Sequence, residues 1–62
     1  MTLREYLNKN GLTESAFAEL VKVSQAAVNR YCNGRMPQHK VLKRIVKNTE
    51  GRVTANDFMG AN

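Results

Sequence analysis

The chain has 62 residues, enough for one small hydrophobic core over 1–62 and too few for an active site built between two domains. Hydrophobic residues make up 42 % and charged residues 24 %, a mixture that folds rather than one that stays disordered. Ten Lys and Arg against five Asp and Glu leave a net charge of +5, the balance of a protein that meets a polyanion. Cys32 is the single cysteine, so no internal disulfide can form, no Cys and His spacing suits zinc, and neither a metal nor another cofactor is expected. No apolar run approaches the roughly 18 residues of a membrane helix, and the amino end lacks the apolar centre of an export signal. The expected setting is therefore reducing and cytoplasmic.

Thr2-Leu3-Arg4-Glu5 has the form of a capping box, which predicts a first helix over about residues 3 to 10. Leu3, Tyr6 and Leu7 share one face of it, and Gly11 supplies the left-handed residue that commonly ends a helix. Thr13 is placed to cap a second helix, with Glu14 in the first turn and Phe17, Leu20 and Val21 at helical spacing. That helix ends near Val21 or Lys22, and Ser24 caps a third from about Gln25 to Cys32 or Asn33, closed by Gly34. Only about three residues part the second and third helices, which demands a tight turn and a steep crossing.

Stepping 100° per residue along the third helix puts Ala27, Val28 and Tyr31 on one side. Gln25, Ala26, Asn29, Arg30 and Asn33 fall on the other. Pro37 suits the first position of a fourth helix, whose stripe is Val41, Leu42, Ile45 and Val46 amid Lys40, Lys43, Arg44 and Lys47. Thr49 to Val53 reads as a turn into a short extended piece. Thr54-Ala55-Asn56-Asp57 repeats the capping-box pattern, so Phe58 and Met59 are expected in a last helical turn folded onto the core.

Charge is concentrated. Residues 22 to 52 carry eight Lys and Arg against Glu50 alone, a net +7, while both flanks are slightly acidic. Such a half is either a footprint for phosphates or a solvated basic face. The stretch Glu14 to Asn33, with its small Ala18, its apolar Phe17, Val21, Val23, Val28 and Tyr31, and its caps Thr13 and Ser24, closely resembles the helix-turn-helix of phage repressor and Cro proteins and their bacterial relatives. In that family a small residue sits where the two helices cross, the place Ala18 takes. The flanking helices extend the likeness to most of the chain. The closing stretch Thr49 to Phe58, with its glycine, valine, threonine and aspartate, is similar to the YdaS-type antitoxin branch. Most members carry glycine where Lys22 stands; a lysine at positive φ costs about 1 kcal/mol.

The resemblance implies an all-α fold, a compact four- to five-helix bundle of the lambda-repressor-like DNA-binding type, and double-stranded DNA as partner. The third helix then enters the major groove. Gln25 can pair with the N6 and N7 edge of adenine, and the family places a base-reading glutamine at the matching position. Arg30 can pair with guanine or clamp a phosphate, Asn29 and Asn33 can do either more weakly, and Ala26 allows close approach and can touch a thymine methyl. The bland alternatives are a solvated helix start for Gln25 and an internal ion pair for Arg30. Phosphate contacts are expected from Thr13, Lys22, Ser24, Arg35, Gln38, His39 and Lys40. Cys32 reads as a packing residue.

Three functional classes compete. A Cro-like repressor would act as a homodimer on a near-palindromic operator, with Phe58 and Met59 on a terminal segment able to cross to the partner copy. An antitoxin or protein-interaction module would apply its basic face to an acidic protein. An enzyme is disfavoured, because no paired carboxylates, no nucleophile with a base and no phosphate-cradling glycine loop are present.

Overall fold

The computed structural model describes residues 1–59. They form four helices, α1 (Leu3–Asn10), α2 (Glu14–Val21), α3 (Gln25–Cys32) and α4 (His39–Asn48), followed by a 3₁₀ turn over Ala55–Phe58, with no strand among the described residues. The fold is thus the all-helical bundle that the sequence predicts; Gly60, Ala61 and Asn62 lie outside the described part.

The first three helices start where a hydroxyl oxygen caps them. Thr2 Oγ1 accepts the Glu5 amide at 3.2 Å while Glu5 Oε1 accepts the Thr2 amide at 2.9 Å, completing the capping box. Thr13 Oγ1 accepts from the Ala16 amide at 3.0 Å and Ser24 Oγ from the Ala27 amide at 3.1 Å. Asp57 Oδ2 likewise accepts the Thr54 amide at 2.9 Å at the 3₁₀ turn. The start of α4 differs from expectation. Pro37 is not its first residue; Gln38 holds the cap position without a side-chain bond, and Pro37 lies before it, buried. A proline fixes φ and pushes its predecessor toward extended backbone, so it serves a chain arriving at a helix as well as the first turn itself.

All four helices end alike. An amide beyond the helix reaches back five positions: Leu12 to Leu7 O at 2.9 Å, Val23 to Ala18 O at 3.0 Å, Arg35 to Arg30 O at 3.0 Å, and Gly51 to Val46 O at 2.9 Å. This closure requires a left-handed residue in between. Gly11 and Gly34 provide it for α1 and α3, but Lys22 at φ 60° and Glu50 at φ 55° provide it for α2 and α4.

The core gathers Leu3 and Leu7 of α1, Phe17, Ala18 and Val21 of α2, Val28 of α3, Val41 and Ile45 of α4, then Val53 and Phe58. Tyr6 meets Phe17 edge-on at 6.3 Å, and Tyr31 meets Phe58 at 6.5 Å. Two expectations are corrected here. Leu20 is half exposed, because the buried stripe of α2 runs through Phe17, Ala18 and Val21 and leaves it on the rim. The stretch before Val53 makes no extended piece: Glu50 and Gly51 are both left-handed, and the chain turns until Thr54. Phe58 folds back onto the core of its own chain as predicted, at 6 % exposed, whereas Met59 is 65 % exposed.

Candidate nucleic-acid interface

Lys22, Val23 and Ser24 are the whole connection between α2 and α3. The turn is held at one end by the Val23 amide on Ala18 O and at the other by the Ser24 cap. Val23 is half buried against the core, so the turn is anchored by packing as well as by hydrogen bonds. The result fixes the rotation of α3 about its axis. Val28 is fully buried, Ala27, Tyr31 and Cys32 are half buried, and Gln25, Ala26, Asn29, Arg30 and Asn33 are exposed. The division of α3 into two sides predicted from the sequence is the one the chain adopts.

Gln25, Ala26, Asn29 and Arg30 line an open cleft of about 560 Å³ with Glu14 of α2. The Gln25 and Arg30 side chains make no hydrogen bond or ion pair within the described residues, so both head groups are available to a ligand. Asn29 is engaged. Its Nδ2 donates to Glu14 Oε2 at 3.2 Å and Oε1 at 3.4 Å, and Asn33 Nδ2 donates to Asn29 Oδ1 at 3.3 Å. Arg4 of α1 stands 3.8 Å from Glu14 Oε2. Glu14 is the residue of this cleft that sequence reading assigned only to the helix dipole. Its partner lies 15 residues away, so the pairing becomes visible only once α3 is known to fold back beside the start of α2.

Thr13, Lys22, Ser24, Arg35, Gln38, His39 and Lys40, the expected phosphate contacts, are all exposed. Thr13 and Ser24 use their oxygens as cap acceptors, which leaves each hydroxyl proton free to donate outward. In α4 the first internal amide bond is Leu42 to Gln38 O at 2.8 Å, so the amides of His39 and Lys40 open from an uncapped helix start that favours an anion. Arg44 is drawn inward instead, its guanidinium donating to Val21 O at 3.4 Å and satisfying the end of α2. Burial pushes the Cys32 thiol above its ordinary value, with Arg4 opposing and Glu14 adding to the rise, which fits an unreactive packing residue.

Two helices joined by a three-residue turn, the second sunk on one side and bare on the other, in a chain of net charge +5, define a DNA-binding helix-turn-helix regulator. The chain belongs to the helix-turn-helix family of the Cro and phage-repressor type, whose pattern matches residues 3–51. No curated protein and no solved structure matches it. No described helix is long and apolar enough to cross a membrane.

Proposed function

We propose that this chain is a sequence-specific, Cro-like repressor that lays α3 in the major groove of an operator. The observation that carries the reading is the bare side of α3, where the Gln25 and Arg30 head groups stand unpartnered beside Ala26 in an open cleft. Gln25 reads adenine and Arg30 reads guanine, while Asn29 and Asn33 flank them. Thr13, Lys22, Ser24, Arg35, Gln38, His39 and Lys40 contact phosphates and set the register. An α-helix of eight residues reaches few base pairs, so two copies act together. The operator has two-fold symmetry, with half-site centres about 10 base pairs or 34 Å apart. Residues 1–62 act as one DNA-binding domain without metal or cofactor.

Selection from a random duplex pool at two salt concentrations tests this reading. The expected result is a near-palindromic site, with Arg30→Ala losing about 1–3 kcal/mol and relaxing the preference at one base pair. Unchanged affinity and sequence preference in Arg30→Ala would remove α3 as the reader.

A second reading is favoured by one surface. Leu42, Val46 and Ala55 line a shallow apolar groove of about 370 Å³ rimmed by His39, Lys43 and Lys47. Its charge suits an acidic protein segment with apolar side chains, as an antitoxin of the YdaS type would offer a partner, and the closing stretch Thr49 to Phe58 supports that branch. Loss of binding to acidic amphipathic peptides in Lys43→Glu, with DNA binding retained, supports it; peptides that never bind the unaltered chain exclude it.

A further inference from the structure

Within the cleft beside α3, Glu14 is the one carboxylate among the lining residues. A carboxylate only accepts hydrogen bonds, and that decides the orientation of the amide next to it. The Asn29 NH2 must face Glu14, at 3.2 and 3.4 Å from its oxygens, so the Asn29 oxygen faces along α3 and receives the Asn33 amide at 3.3 Å. Asn29 therefore cannot offer a paired donor and acceptor to an adenine edge. The cleft is divided by chemistry: Arg30 offers donors only, Gln25 offers both, and the Glu14–Asn29 side presents acceptors.

We infer that Glu14 makes this site select cytosine at one position of each half-site, its carboxylate accepting from the exocyclic N4 amino group. The inference rests on the operator reading proposed above. In the major groove guanine shows two acceptors and thymine one, and a carboxylate pressed against either stays unpaired. Adenine shows an amino group with the N7 acceptor beside it, which faces the same negative oxygens. Cytosine alone shows a donor with no acceptor next to it. Asn29 is a positioning residue in this scheme, holding the carboxylate from one side as Arg4 does from the other.

The test is selection from a random duplex pool with the full chain, with Glu14→Gln and with Asn29→Ala, at one salt concentration. Competition then follows between duplexes differing only at the cytosine position. The unaltered chain is expected to enrich cytosine there about tenfold over thymine or adenine. Glu14→Gln loses that preference while the position read by Arg30 keeps its own, and Asn29→Ala, which leaves the carboxylate held by Arg4 alone, weakens the cytosine preference without abolishing it. Thermal melting checks folding, and Thr13 still caps α2 in both variants. An unchanged profile in Glu14→Gln overturns the inference, as does loss of the cytosine preference in Asn29→Ala alone. An unaltered chain that enriches no sequence overturns the operator reading itself, whereas an enriched operator with no cytosine dependent on Glu14 overturns only the role of Glu14.

Discussion

Lys22 and Glu50 each hold a backbone conformation that glycine adopts freely, at φ 60° and 55°. Replacing Lys22 by glycine is expected to stabilise the fold by about 1 kcal/mol, raising the melting temperature by about 4–8 °C for a domain of this size. If the Lys22 ammonium meets a phosphate, the same variant lowers the salt slope of DNA binding by about one, so calorimetry and a salt titration on one variant read both effects. Thr49 is the opposite case, a polar residue at 0 % exposure. Its hydroxyl donates to Ile45 O at 2.8 Å and accepts the Val53 amide at 3.2 Å, tying the end of α4 to the chain beyond the turn. Thr49→Val keeps the shape but leaves that amide buried without a partner, and a cost of about 1–3 kcal/mol is expected in urea denaturation. Lys22 was legible in the sequence because its neighbours mark the turn. Thr49 was not, since a threonine after a helix is ordinarily solvated and nothing in the spacing announces a buried bond across a left-handed turn.

Among the elements, the caps tie stability to pH. Glu5 is held below the usual carboxylate range by the amide and then the hydroxyl of Thr2. At Asp57 partial burial raises the pKa, but the Thr54 amide and the terminal ammonium of Met1, 3.3 Å away, outweigh it and leave the carboxyl lowered. A carboxylate whose folded value lies below its unfolded value contributes stability that is present above about pH 4 and lost as pH falls through the folded value. Denaturation midpoints measured from pH 6 down to 2 are therefore expected to fall on the acid side, and a Glu5→Gln, Asp57→Asn chain to show a shallower fall from a lower plateau. These starts were readable because a capping box is a local signal, complete within four residues. The start of α4 was misplaced because proline marks the approach to a helix without fixing which residue caps it, and Gln38 brings no capping bond to decide the matter. Leu20 was misassigned for a related reason: apolar spacing defines a stripe, but only packing decides which edge of the stripe stays in water.

For the whole molecule, the net +7 over residues 22 to 52 sets the ionic-strength response. Lys22, Arg35 and Lys40 as phosphate contacts give a slope of log affinity on log salt of about −3 per copy and twice that for two copies on one operator. A slope near zero would detach the basic half from DNA altogether. The helical bundle and the turn could be read from the sequence because they rest on short-range patterns, while the coupling of Glu14 to Asn29 depends on how α2 and α3 lie together. The solvent-facing letters of α3 share a helix with Val28 but none of its burial. Gln25, Ala26 and Arg30 can accordingly be exchanged with little risk to folding. A family built on this plan can diverge toward new target sites through single surface replacements, and a library randomised at these three positions should yield mostly well-behaved proteins with altered preferences.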